Sequence, residues 1–337
     1  MEQQNSYIKQ FPEQFDGKKI MYVHGFGSSG QSGTVSRIRE VLPNAEVIAP
    51  DLPIRPQEAL DLLNRTCAAE RPDLIIGTSM GGMYAEQLYG FDRILINPAF
   101  RIADTMGEHG LTGKQQFFSP RRDGVQEFYV DKALVKEYRA ITEGNFAHAD
   151  DTDEQHHVYG LFGDKDELVH TFDLFPYRQG ISFHGEHRMN DHSFMHSVVP
   201  VIRWIDDRQE GRERPIVYIG TETLWQKDGM VRSSMQKAVR MLTERYQVYF
   251  VSFDMGADGI GRLKERLQEF IGVPAWGHTV ITEQRHLLYG DYLIQGGCGA
   301  RWPGKEPEPM ATPIELGSDT FKTWDDVIEY FSRLGGL

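Results

Sequence analysis

Leu74-Ile75-Ile76-Gly77-Thr78-Ser79-Met80-Gly81-Gly82 is the stretch on which the reading of this chain turns. Its three leading apolar residues predict a buried strand, and Met83 to Leu88 beyond it has helical character. Between strand and helix stands a tight turn flanked by glycines, with a serine at its apex. A strand that passes directly into a helix forces the apex residue into strained backbone angles, so Gly77 and Gly81 must lack bulky side chains. G-x-S-x-G is a modest signal in itself, and a strand–loop–helix joint with an incidental serine would also fit. The surrounding chain has to decide.

Outward on the N-terminal side, Lys19 to Val23 reads as a strand that runs into His24-Gly25-Phe26-Gly27-Ser28-Ser29-Gly30. This loop also matches G-x-G-x-x-G, and Asp51 follows about 20 residues later, as a dinucleotide site requires. That alternative explains the glycines and Asp51 but neither His24 nor Ser79. A hydrolase reading explains all of them, because His-Gly-Phe after a strand is where a backbone donor for an oxyanion is supplied. Val35, Ile38, Val41 and Leu42 share a helical face that Pro43 ends, and Glu46 to Ala49 is a short strand. A second helix starts at Pro56, a favourable first-turn residue, and turns Leu60, Leu63 and Cys67 inward.

On the C-terminal side, Ile94-Leu95-Ile96 is another strand, ending in Asn97-Pro98-Ala99. Short apolar strands alternating with amphipathic helices predict a parallel sheet covered on both faces. The rhythm stops from Phe100 to Asp153, where Leu134, Tyr138 and Ile141 mark a helix. This insertion, 100–153, reads either as a lid over a site at the strand ends or as a peripheral helical excursion. Strands return at Val158 to Phe162, which leads into Gly163-Asp164-Lys165-Asp166-Glu167-Leu168-Val169, and at Ile181 to Phe183, which leads into His184-Gly185-Glu186-His187. A helix carrying Val198, Val201, Ile202 and Ile205 closes the domain. The charged stretch after it reads as a linker, 207–214, between a first domain, 1–206, and a second, 215–337.

A serine hydroxyl is a weak nucleophile at neutral pH. It needs an imidazole to take its proton and a carboxylate to hold that imidazole in the right tautomer. Ser79, Asp166 and His187 appear in that chain order, each directly after an apolar strand. Asp166 is preferred to Asp164, which reads as a turn residue. His187 is preferred to His184, which should still belong to the strand. His192 and His196 lie at i, i+4 on the next helix, a spacing that can hold zinc, but no nearby Cys or Glu completes a ligand set.

Residues 19 to about 206 resemble the YqiA-like esterase family of α/β-hydrolases. The resemblance is carried by Tyr22 to Ser29, Asp51-Leu52-Pro53, the Gly77–Gly82 turn, Asn97-Pro98-Ala99, Gly163 to Val169, and Gly185-Glu186-His187. It implies an α/β-hydrolase fold and hydrolysis of small acyl esters or thioesters through Ser79, Asp166 and His187, with no cofactor and no metal. It also implies oxyanion donors at the backbone N–H groups of Phe26 and Met80.

The second domain repeats the alternation. Ile216 to Ile219, Val248 to Ser252, Tyr292 to Ile294 and Pro313 to Leu316 are strands, and three amphipathic helices accompany them, the last running through Trp324, Val327, Ile328, Phe331 and Leu334. The order resembles a haloacid-dehalogenase (HAD) type phosphatase, a smaller Rossmann-like α/β domain, near the deoxyribonucleotidase branch. Val217-Tyr218-Ile219, Tyr249 to Ser252, Gly290 to Ile294 and Thr323-Trp324 carry that resemblance. It departs from the family where chemistry would sit. Gly220, Thr221 and Glu222 stand in place of the paired aspartates, Gln295 and Gly296 in place of the metal-binding acids, and Arg285 in place of the lysine. Glycine cannot form an acyl phosphate, so the domain is expected to lack phosphatase activity. Gly296 to Gly299 is a candidate anion nest, and Cys298 a structural or incidental thiol.

Bulk properties bound the partners. Across 337 residues, 40% hydrophobic and 25% charged content describe an ordinary globular protein, and two domains fit the length. A net charge of −13 argues against nucleic-acid and anionic-membrane surfaces. No signal peptide is readable at Met1 to Asn5, no apolar run is long enough to span a membrane, and two distant cysteines make no disulfide framework. A cytoplasmic setting is therefore expected. The readings in play are an esterase with an inactive phosphatase-like module, a binding or scaffold pseudoenzyme, and a bifunctional esterase–phosphatase.

Overall fold

The apolar runs of the first two thirds become strands of one parallel sheet. In the computed structural model, which describes residues 8–226, 228–252, 256–296 and 310–334, the chain separates into two compact units, Met1–Asp206 and Asp207–Leu337. In the first, β1 (Lys19–Val23), α1 (Gly33–Val41), β2 (Glu46–Ile48), α2 (Pro56–Glu70), β3 (Leu74–Thr78), α3 (Met80–Glu86) and β4 (Arg93–Ile96) follow one another. The insertion then forms α4 (Ile102–Glu108), an antiparallel pair β5 (Gly113–Gln116) and β6 (Glu127–Val130), and α5 (Lys132–Ile141). After α6 (Glu154–His157) come β7 (Val158–Gly163) and β8 (Gln179–Phe183). The short helix α7 (Asp191–Ser193) passes through a π-helical turn, Phe194–Val198, into α8 (Val199–Gln209).

The sheet order is β2-β1-β3-β4-β7-β8, all parallel. Its register aligns the carboxyl ends: Val23 pairs with Gly77, Thr78 with Ile96, Ile96 with Leu161, and Gly163 with Phe183. Loops after β1, β3, β4, β7 and β8 therefore emerge along one edge, where open parallel sheets hold their ligands. Helices cover the sheet as periodicity predicts. Val35, Ile38, Val41, Leu63 and Cys67 are buried, each aliphatic one contributing roughly 1.5–3 kcal/mol of burial. This is an α/β-hydrolase-like unit, as the resemblance led us to expect.

Two stretches differ from the sequence reading. The insertion holds more structure than the one helix expected, and Val130, Leu134 and Tyr138 join the main core beside β3 and β4 residues. Helix α8 also continues to Gln209, into the stretch read as a linker. Charge obscured it: Asp206 is buried because its Oδ1 accepts from Lys18 Nζ at 2.8 Å.

The second unit contains β9 (Ile216–Gly220), α9 (Met235–Arg245), β10 (Gln247–Ser252), α10 (Ala257–Phe270), β11 (Thr279–Ile281), β12 (Tyr289–Gly296), β13 (Met310–Leu316) and α11 (Trp324–Leu334). Its five parallel strands run in the order β11-β10-β9-β12-β13, a Rossmann-like arrangement with the first strand at the centre. Trp324, Val327 and Phe331 of α11 pack with Val217, Ile219 and Ile294 of the strands. Strand β11 was not foreseen. Pro313 lies within β13, where it pairs with Leu293; an edge strand tolerates the missing N–H.

Candidate active site

Ser79 sits between β3 and α3 with φ +55° and ψ −119°, backbone angles that a side-chain-bearing residue adopts only under constraint. The constraint is close packing. A Cβ on Gly77 would fall on the Gly81 carbonyl, and one on Gly81 would fall on the carbonyl of Val23 in β1. Helix α3 thus starts directly against the sheet and holds the serine out at the carboxyl edge.

The fold brings Asp166 and His187 to this serine. His187 Nε2 lies 3.1 Å from Ser79 Oγ, and His187 Nδ1 lies 2.7 Å from Asp166 Oδ2. An ionised carboxylate only accepts, so Nδ1 carries the ring proton and Nε2 is free to accept from the serine hydroxyl. Asp166 is 3% exposed, and its Oδ1 accepts the N–H groups of Leu168 and Val169 at 2.8 and 2.9 Å. Burial works to raise its pKa, but the hydrogen bond and charge of His187, with the two amides, outweigh it and hold the carboxyl below its ordinary value.

Asp164 plays a different part. Its carboxylate accepts Gly185 N–H and faces His184 Nδ1, each at 3.0 Å, tying the loop after β7 to the loop after β8. His184 lies just past the end of β8. His192 and His196 stack ring on ring with centroids 4.2 Å apart. Among the described residues no three His, Cys, Asp or Glu side chains converge as a metal site.

The loop after β1 packs on the serine, since a Cβ on Gly25 would touch Ser79 Cβ. Phe26 lines the cavity over Ser79, and Met80 supplies the first amide of α3, where helix geometry leaves N–H groups without an internal acceptor. His24 anchors the loop. Its Nε2 accepts Leu52 N–H at 3.0 Å and its Nδ1 donates to the Gly25 carbonyl at 2.9 Å. Burial pushes the His24 pKa down to about 4, with Arg121 adding to the effect, so the ring is neutral. Asp51, the residue that fitted a dinucleotide fingerprint, accepts Gly30 N–H and Arg122 N–H, both at 2.7 Å. Its carboxylate is thereby committed to joining loops.

Three features of the site escaped the sequence reading. Asn97, with φ +44°, donates from Nδ2 to the carbonyls of Glu186 and His187 at 3.1 Å and accepts Gly163 N–H at 2.7 Å. One buried side chain thus joins the ends of β4 and β7 to the His187 loop. Residues 117–122 of the insertion clasp the loops after β1 and β2: Phe118 N–H donates to the Gly27 carbonyl, Ser29 Oγ to the Pro120 carbonyl, and Arg121 Nη1 to the Leu52 carbonyl. The third is the cavity itself, about 640 Å³, whose walls include Ile102, Leu111 and Phe118 of the insertion with Leu168, Val169 and Met189.

In the second unit, Gly220 ends β9, Ser252 ends β10 and Gly296 ends β12, so these three residues share one sheet edge. Glu222 Oε1 accepts Gly296 N–H at 3.2 Å. A cavity of about 540 Å³ there is lined by Thr221, Glu222, Ser252, Arg262 and Arg266 among others. Gly297, Cys298, Gly299 and the side chain of Arg285 lie outside the described residues.

Residues 19–169 match the uncharacterised protein family UPF0227. That span includes Ser79 and Asp166 and stops short of His187. Among solved structures, the chain is similar to the esterase domain of a Rhodothermus marinus protein at 17% identity, with 60% of this chain and 90% of that one covered and a TM-score of 0.38. It is similar to a metagenome-derived lipolytic enzyme (14% identity, 51% and 82% covered, TM-score 0.32). An esterase/lipase from an uncultured bacterium gives 13% identity, 60% and 79% coverage and a TM-score of 0.30.

Proposed function

We propose that the first unit is a serine hydrolase of small acyl esters or thioesters, with Ser79 as nucleophile, His187 as general base and then acid, and Asp166 as orienting carboxylate. The observation that carries the reading is the continuous hydrogen-bonded line Ser79–His187–Asp166 at 3.1 and 2.7 Å on a strained turn facing a cavity. As Ser79 Oγ attacks the acyl carbonyl, its proton passes to His187 Nε2. The carbonyl oxygen becomes an oxyanion, received by the N–H groups of Phe26 and Met80. Collapse expels the alcohol or thiol, which takes the proton from His187 and leaves an acyl-serine. Water, deprotonated by the same imidazole, then releases the acid and restores Ser79.

The Asp166–His187 bond supplies more than orientation. The ionised carboxylate, held below its ordinary pKa, stabilises the imidazolium that forms at each proton transfer. No step calls for a cofactor or metal. We read the second unit as a HAD-like accessory domain without phosphatase chemistry, on the glycine at Gly220 where a nucleophile would have to stand.

Steady-state turnover of short p-nitrophenyl esters tests this reading. Wild type should hydrolyse them without added metal, and Asp166→Asn should lower kcat by about 10⁴-fold by fixing the wrong imidazole tautomer. Equal activity in Asp166→Asn and wild type would remove the assignment.

A further inference from the structure

The chain carries 49 acidic against 36 Lys and Arg residues, yet among the described residues no carboxylate lines the cavity over Ser79. Its permanently charged lining side chains are Arg37 and Arg188. The half-buried Arg37 and the exposed Arg188 give the cavity's wall positive charge within a protein of net charge −13, a local reversal of sign.

The two arginines differ in what they already hold. Arg37 pairs with Asp191, its Nη2 2.5 Å from Oδ1, and donates to the Met189 carbonyl at 3.3 Å. Its charge is largely answered. Arg188 has no carboxylate or carbonyl partner among the described residues; its guanidinium lies over the Phe118 ring, 5.0 Å from the centroid. The Phe118 backbone is anchored, since its N–H donates to the Gly27 carbonyl at 2.7 Å, and its exposed ring lies against Gly27, where a Cβ would meet it. Stacking on an aromatic face restrains a guanidinium plane while leaving its edge of N–H donors unused. A planar fork with free donors matches carboxylate and phosphate oxygens. Arg188, His187 and Ser79 line the same cavity, so a group bound by Arg188 shares that cavity with the reacting bond.

We propose that the substrate ester carries an anionic group, a carboxylate or a phosphate, which Arg188 binds while Ser79 attacks the acyl carbonyl. This rests on the serine-hydrolase reading above and adds the substrate's charge to it. The apolar wall of Phe26, Ile102, Leu111 and Leu168 would take the chain joining ester and anion.

The test is a set of p-nitrophenyl esters of matched length whose acyl chains end in methyl, carboxylate, phosphate or trimethylammonium, assayed on the full chain. For wild type, kcat/KM should favour at least one anionic ester over the methyl-ended one by about tenfold or more, and the trimethylammonium ester should be poorest. The anion with the larger gain identifies the group. Arg188→Met should bring the anionic-to-neutral ratio close to one, and Arg188→Lys should restore part of it. A wild-type ratio at or below one, or a ratio that persists in Arg188→Met, overturns the proposal. Turnover of the methyl-ended ester without an anionic preference removes this inference alone. Absence of turnover on every ester, with Ser79 unreactive toward a fluorophosphonate, removes the hydrolase reading and this one with it.

Discussion

Asn97 shows how much of a site can depend on one residue outside its reacting line. Its side chain makes three hydrogen bonds that fix the carbonyls of Glu186 and His187 and the amide of Gly163. Asn97→Ala removes all three, leaves the Gly163 amide without that acceptor, and puts alanine at a positive φ. We expect a loss of about 2–4 kcal/mol in urea unfolding and, in the folded fraction, a fall of roughly 10–100-fold in kcat/KM as His187 drifts. A variant with wild-type kcat/KM would show that the loops need no such tie. His24 gives a second expectation. Burial lowers its pKa from 6.5 to about 4, so the unfolded chain takes up this proton first as pH falls. Stability from this group is complete above pH 6.5 and declines toward pH 4, by on the order of 3 kcal/mol in all. Asp166 adds a loss lower on the scale, below its ordinary 3.8, because its folded pKa is depressed. Unfolding free energies measured from pH 7 to 4.5 should therefore fall in wild type and fall less in His24→Gln; parallel curves would contradict the neutral, buried ring. Ser79, Asp166 and His187 could be singled out in the sequence because each follows an apolar strand in a telling order. Asn97 and Arg188 could not, because their roles depend on partners distant in the chain or on a stacking geometry that no spacing encodes.

Elements were legible to the degree that their burial was one-sided and their length ordinary. Helices α1, α2, α8 and α11 announce themselves through an apolar face, and β1, β3, β4 and β7 through buried runs. The pair β5–β6 and the strand β11 do not. β5 is Gly113-Lys114-Gln115-Gln116, without an apolar residue, and β11 has three half-buried residues. Such strands are specified by the neighbour they pair with rather than by their own pattern. The turn between β3 and α3 is the opposite case, where local sequence and global packing agree. Gly81→Ala would set a methyl on the backbone carbonyls of Val23 and His24, with no flexible side chain to give way. We expect a cost of about 3 kcal/mol or more and loss of ester turnover, read by thermal unfolding and by kcat. An alanine variant of wild-type stability and activity would mean that α3 does not need so close an approach.

At the scale of the whole molecule, every residue assigned to the reaction lies within the first unit, Met1–Asp206. The division into two repeats of strand and helix was visible in the sequence, because each repeat carries enough apolar pattern to bury a core of its own. The end of α8 at Gln209 was harder to see, since a charged helix end and a charged linker share one composition. A chain ending after Gln209 should unfold cooperatively and still turn over short esters; an insoluble or inert fragment would show that the second unit is required by the first. No described helix is long and apolar enough to cross a membrane. The central claim, that Ser79 is an activated nucleophile, is tested most directly by treating the full chain with a fluorophosphonate and locating the adduct by peptide mass spectrometry. The account predicts a single adduct on the peptide carrying Ser79, absent in Ser79→Ala and strongly slowed in His187→Ala. An unlabelled wild type, or labelling that survives in Ser79→Ala, would contradict it.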